Sequence, residues 1–326
     1  MGRSVLTFTT ADALRCRFVR SLLWETLHAV RTLVSAPQQR LHASWLATID
    51  APAARRELPV LLALNPRHGW VPDFLAPPPQ AGRRTFEDEL AEVLTHPDEL
   101  VADDLRRSLD SSPSRSRQAI LATLIARPAI AREVIAAELA HAWTRIVAPF
   151  WTSLRELIDA DITFRTVALG WAGLGPVLAE LHRNVRWAED RVVVDHSDPV
   201  DIELDGQGLA LMPSAFVWPR TILVYERPWP PTLVYPARGI GELWTAPRRP
   251  PAALVGILGR TRALLLLDLE APATPSALAG RHHLSRASTC TQLIRLRDAR
   301  LVVGERVGKE VRYRRTPLGD KLASVN

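Results

Sequence analysis

Between residues 285 and 314 the sequence gathers side chains suited to touching a polyanion. Ser285, Ser288, Thr291 and Gln292 offer short hydroxyl and amide groups, and Arg286 and Arg295 add guanidiniums. Hydroxyls and amides of this length hydrogen-bond to base edges in a major groove, and guanidiniums fit phosphate oxygens. Arg306, Lys309, Arg312 and Arg314 follow on β-rich runs, with Arg312 and Arg314 on one strand face at period two. On a helical wheel Thr289, Leu293 and Leu296 form an inward face, while Ser288, Thr291 and Arg295 point away and Gln292 lies on the border.

Charge is distributed to match. The 326 residues carry a net +6, but residues 251–326 hold thirteen Lys/Arg against six acids, a local +7. The first 250 residues are therefore close to neutral, at −1. A basic end joined to a neutral body is the pattern of a polyanion-binding module on a separate domain.

The elements that must position these groups read clearly in the last quarter. Ala252–Leu269 predicts one long helix, and Thr274 with Pro275 opens a short one to Arg281. Ser285 caps a helix to about Ala299. Leu301–Arg306 and Val311–Arg315 predict a hairpin across Val307-Gly308-Lys309-Glu310, and Thr316-Pro317 caps a last helix to about Ala323. This is the element order of a winged helix-turn-helix.

Residues 253–323 resemble the winged-helix domain of ArsR-type bacterial regulators. The resemblance is carried by SRASTCTQLIRLRDARLV (285–302) and RVGKEVRYRRTPLGDKL (306–322). It implies that Ser285, Arg286, Ser288, Thr289, Thr291 and Gln292 lie nearest DNA, although the wheel turns Thr289 inward. The chain departs from the family in three ways. Residues 270–276 (EAPATPS) lack the Cys-x-Cys motif of thiophilic-metal sensors, Arg300 stands where a Gly commonly ends the recognition helix, and Ile294-Arg295 inverts the usual polar-then-apolar order. The whole chain is also similar to longer members with a large N-terminal domain of unassigned ligand, through residues 70–78 (WVPDFLAPP) and the opening Leu23-Trp24-Glu25.

The first 245 residues predict a helical domain to about residue 190. One helix is expected from Asp12 to about Val34, short apolar helical stretches follow, and residues 118–171 are helical with breaks at Pro128 and Pro149. A helix over Val177–Glu189 and a small antiparallel sheet over 191–239 complete it, with the Pro/Arg-rich segment 244–251 as boundary. The overall class is mainly α (α+β).

Catalytic and metal chemistry are weakly represented. Cys16 and Cys290 are the only cysteines, too few for a disulfide framework or a Cys-rich zinc site, and they fit a reducing, cytoplasmic setting. His282-His283 has no companion carboxylate in sequence and reads as a turn beside a DNA backbone. Gly170-x-x-Gly173-x-Gly175 lacks the Lys and Ser/Thr of a phosphate loop. No apolar run spans a membrane and no secretory leader is visible. Ten Trp residues, nine of them before residue 240, are core or dimer contacts or the walls of an effector pocket.

The expectation is a dimeric DNA-binding transcriptional repressor. It reads an inverted-repeat operator on double-stranded DNA through helix 285–299 and wing 301–315, with an unidentified signal, a small-molecule effector among the candidates, acting on residues 1–245. No catalytic residue, cofactor, metal or membrane is expected. The alternatives are an N-terminal enzyme, or a metal sensor, with an appended winged helix.

Overall fold

The computed structural model describes residues 2–66, 70–79, 84–196, 199–244, 250–269, 272–282, 284–307 and 310–324. The protein is mainly helical with small mixed sheets, and it divides into two compact units, Met1–Trp244 and Thr245–Asn326. Among the described residues no helix is long and apolar enough to cross a membrane.

The first unit opens with a strand, β1 (Gly2–Thr7), followed by α1 (Thr10–Arg15), β2 (Arg17–Phe18) and α2 (Leu22–Thr32). The single helix expected from Asp12 to Val34 is thus two helices separated by a strand. Thr9, not Asp12, caps α1, and Asp12 closes a capping box from the third helical position. The other oxygen of Asp12 accepts the Gly208 amide at 2.9 Å. That long-range bond and the pairing of β2 with a later strand override the local helical pattern. Ser21 restarts the helix, its hydroxyl accepting the Trp24 amide.

A run of short helices follows: α3 (Ala36–Leu41), α4 (Ala43–Thr48), α5 (Ala51–Glu57) and α6 (Pro59–Leu64). Longer ones then build the body: α7 (Phe86–Thr95), α8 (Asp98–Asp110), α9 (Arg115–Ile125), α10 (Pro128–Ala142) and α11 (Trp151–Ala172). Pro128 opens α10, and a π-turn over Trp143–Val147 with a 3₁₀ turn at Pro149 separates α10 from α11, as the prolines lead one to expect. Leu23, Trp45, Leu61, Phe74, Leu105, Ile135 and Leu154 fill the core of this body.

The expected helix over Val177–Glu189 is shorter and earlier, α12 (Leu174–Ala179), and Val185–Ala188 forms β3 instead. The strands β4 (Arg191–His196), β5 (Asp201–Glu203), β6 (Ala210–Ser214), β7 (Ile222–Val224) and β8 (Thr232–Pro236) complete the unit. They do not make one antiparallel sheet. Two four-stranded sheets form, ordered β3-β4-β1-β5 and β2-β6-β8-β7. Each recruits a strand from the chain start, and β1–β5, β2–β6 and β6–β8 run parallel. Parallel neighbours need partners distant in sequence, which no local pattern announces. Leu6, Val192, Val194, Leu211, Leu233 and Tyr235 pack the second core.

The second unit contains α13 (Ala252–Leu258), α14 (Arg260–Asp268), α15 (Pro275–Arg281), α16 (Arg286–Asp298), β9 (Val302–Val307), β10 (Glu310–Arg315) and α17 (Pro317–Ala323). The long helix expected over 252–269 is broken at Gly259, whose φ of +77° suits a residue without Cβ. Leu254, Leu265, Leu266, Leu278, Leu293, Leu296 and Tyr313 form its core.

Candidate functional site

The polar residues singled out in the sequence sit on α16 and the β9–β10 hairpin. Ser285 is the N-cap of α16, and its hydroxyl accepts the Ser288 amide at 3.1 Å. Thr289, Leu293 and Leu296 are buried in the core, and Thr289 also donates its hydroxyl to the Ser285 carbonyl. That inward stripe fixes the helix rotation, which leaves Ser285, Arg286, Thr291 and Arg295 exposed and Ser288 half-buried. The Thr291 hydroxyl donates to the Ala287 carbonyl at 3.0 Å, so toward solvent it acts as an acceptor. Gln292 is half-buried, and its amide oxygen accepts from Arg262 Nη1 at 3.2 Å. Cys290 is a half-buried free thiol.

The helix ends in a Schellman motif. The Arg300 amide donates to the Arg297 carbonyl at 2.8 Å and the Leu301 amide to the Leu296 carbonyl at 2.9 Å. Arg300 is the left-handed residue of that motif, at φ +59°. The turn into the hairpin therefore has the geometry that Gly ordinarily supplies, with an arginine accepting the steric cost.

In the hairpin Glu305 lies opposite Arg312 and Gly304 opposite Tyr313. Arg312, Arg314 and Glu305 thus share one face, and Arg306 belongs to the face that carries the buried Tyr313. Arg314 reaches Glu305 through Nε at 2.7 Å and Nη2 at 2.6 Å, both side chains about half exposed. Arg306 and Arg312 are exposed, whereas Lys309 at the hairpin turn lies outside the described residues. Ala273 pairs with Tyr313 by reciprocal backbone hydrogen bonds of 3.0 and 2.8 Å, adding a third short strand position that the sequence pattern did not mark.

His282 has a carboxylate partner after all. Its Nε2 lies 3.0 Å from Asp268 Oδ2, contributed by the end of α14, and the side chain is 13% exposed. The histidine is thus engaged inside the unit; His283 lies outside the described residues. Two of the polar partners missed by sequence reasoning, Arg262 and Asp268, come from α14, whose pattern announced only its apolar face.

The first unit buries titratable groups instead of displaying them. Glu25 on α2 is 1% exposed, and burial pushes its carboxyl up to about 7, only partly offset by hydrogen bonds from Ser214 and the Ala215 amide. One turn later on the same helix, burial holds His28 down to about 4. Asp73 is pushed up to about 7 by burial and by the neighbouring Asp104 and Glu226 carboxylates. Asp161, fully buried on α11, accepts from Arg165 Nε at 3.1 Å, the Tyr235 hydroxyl at 2.8 Å and the Arg238 amide at 3.1 Å. Among the described residues no group of three or more His, Cys, Asp or Glu is placed to hold a metal ion.

Residues 84–241 are similar to a family of unknown function (DUF5937). The matched stretch runs from the start of α7 to the end of the second sheet, wholly within the first unit. No curated protein and no solved structure matches the chain.

Proposed function

We propose that this chain is a cytoplasmic DNA-binding transcriptional regulator that acts as a homodimer, with the second unit as a winged helix-turn-helix of the ArsR type. The observation behind this reading is the rotation of α16. Its inward stripe of Thr289, Leu293 and Leu296 leaves Ser285, Arg286, Thr291 and Arg295 on an exposed face, in a unit whose formal charge over residues 245–326 is +9. Short acceptors and the Arg286 guanidinium in the N-terminal half of the helix suit base-edge and phosphate contacts, and Arg295 in its last turn extends the same face. The exposed guanidiniums of Arg306 and Arg312 in the adjoining hairpin suit the backbone or minor groove beside it. Arg314 is held by Glu305, so its contact with phosphate requires DNA to displace that carboxylate.

In this reading two copies set their α16 helices in successive major grooves of an inverted repeat, with half-sites about 10 base pairs apart. The protein represses until a signal on the first unit alters the spacing of the two helices.

A gel-shift series with the duplex upstream of its own gene tests the reading. Affinity should fall by about 10³-fold or more between about 50 and 200 mM salt, as for six or more phosphate contacts. Arg295→Ala should weaken binding by about tenfold. Binding that ignores salt, or no shift with any duplex from that region, defeats it.

A further inference from the structure

The first unit holds a cleft of about 280 Å³ where the starts of α2, α7 and α11 meet the π-turn. Its walls combine two kinds of chemistry. Phe86 and Trp143 stack at 4.8 Å with an interplanar angle of 7°, and Trp151 meets Trp143 edge-on at 5.4 Å. Around these rings stand three guanidiniums, Arg20, Arg84 and Arg155, against the single lining carboxylate of Glu87.

The three arginines are not equivalent. Arg20 is paired with Asp159 and also lies 5.9 Å from the Trp151 ring centre. Arg84 is held by Glu92 at 2.6 Å and donates to the Asp88 carbonyl. Both are about one-fifth exposed, so their heads are fixed by these carboxylates. Arg155 is exposed and has no ion pair among the described residues. Arg155, bound to no carboxylate and next to two guanidiniums already oriented, keeps its donors available to a ligand beside the aromatic wall, while Glu87 balances the formal charge of the lining.

We infer that this cleft binds a planar aromatic anion, such as an aromatic carboxylate, with the ring against Trp143 and Trp151 and the anionic group on Arg155. The rings supply the apolar and edge-to-face contact area. Arg155 supplies a charge-assisted, bidentate-capable donor for the anion. The π-turn over Trp143–Val147 lies between the two tryptophans of the wall, Trp143 at the end of α10 and Trp151 at the start of α11, and so sets their relative register; such turns recur at binding sites. The site lies entirely within the first unit and stands whether or not the second unit binds DNA.

The test is calorimetric titration of the full chain, without DNA, using 2-naphthoate as probe and tryptophan fluorescence as a second readout. Saturable binding with a fluorescence change is expected. Arg155→Ala should weaken it about tenfold or more, the worth of one charged hydrogen bond. Trp151→Leu should weaken it and reduce the fluorescence change. Neutral 2-naphthalenemethanol and non-aromatic cyclohexanecarboxylate should each bind at least tenfold more weakly than 2-naphthoate. Thermal melting confirms that each variant is folded, and Arg155→Gln serves if Arg155→Ala is not. No saturable binding overturns the inference. So does wild-type affinity in a folded Arg155 variant, equal affinity for the neutral alcohol, or inorganic phosphate binding as tightly as the naphthoate.

Discussion

The two units solve the problem of burying polar groups in opposite ways. Among the described residues, twenty polar or charged side chains are buried in the first unit, and only Thr289 in the second. The first is about three times longer, so size does not explain the ratio. Several of its buried groups bond to residues far away in the chain. Glu89 accepts from the Ser21 hydroxyl and the Leu22 and Leu23 amides, closing the start of α2, and Arg117 donates to the Ala63 and Trp70 carbonyls and Ser108. The second unit has an aliphatic core, local caps and its charges outside. The contrast teaches that one unit is specified by hydrogen-bond fits between distant residues and the other by pattern and turn chemistry.

The largest expected effect tests whether the polar network truly holds the first unit. Asp161→Ala removes the partner of a buried Arg165 and two further donors' acceptor, and should cost about 3–5 kcal/mol in urea unfolding of the full chain. A loss under about 1 kcal/mol would mean the network is incidental and dissolve the contrast.

Glu25 sharpens it through pH. With its folded pKa raised above the unfolded value of 4.5 to about 7, the folded state binds the proton more tightly. The stability this contributes is full below about 4.5, falls as pH rises toward 7, and is flat above. Asp73 adds a slope of the same sign, and His28, held down to about 4, loses stability as pH falls below 6.5. Glu25→Gln should therefore flatten the decline between pH 5 and 7.5 relative to wild type, by up to about 3 kcal/mol. Parallel curves for the two proteins would place the titration elsewhere.

In the second unit the corresponding weak points are backbone positions. A Cβ on Gly319 would lie 2.0 Å from the Leu301 carbonyl oxygen, so Gly319→Ala must displace α17 from the turn that starts the hairpin. A loss of about 2–3 kcal/mol is expected, with faster amide exchange confined to residues 285–324. The smallest effect has the opposite sign. Arg300→Gly relieves the left-handed strain and should stabilise by about 1 kcal/mol in the same unfolding measurement. No change there would show that the arginine side chain compensates by contacts of its own.

Legibility followed the same division. The caps Ser285 and Thr316, the proline at the start of α15 and the hairpin pattern gave the elements of residues 275–323 with boundaries within a residue or two. Ahead of them, the break at Gly259 came from a residue that a helix tolerates in sequence and that here turns the chain at positive φ. In the first unit the helices between Pro128 and Trp171 were readable because prolines bound them. β1 and β2 were not, because Gly2–Thr7 and Arg17–Phe18 become strands only through partners near residues 191–203 and 210–211. For the candidate site, the exposed face of α16 was legible from spacing. The grip of Arg262 on Gln292, of Asp268 on His282 and of Glu305 on Arg314 was not, since charged side chains carry no periodic signal of whom they meet.

The sequence by itself determined where the charge lies, that the class is mainly helical with some sheet, and which side of α16 faces its core. Those are local properties, set by composition, caps and the helical period. Only the tertiary structure decided the two mixed sheets, the buried carboxylates and the aromatic–arginine cleft between α2, α7 and the π-turn. Each of these depends on residues tens to hundreds of positions apart, and their meeting is chosen by the packing of whole elements rather than by any segment's own preference.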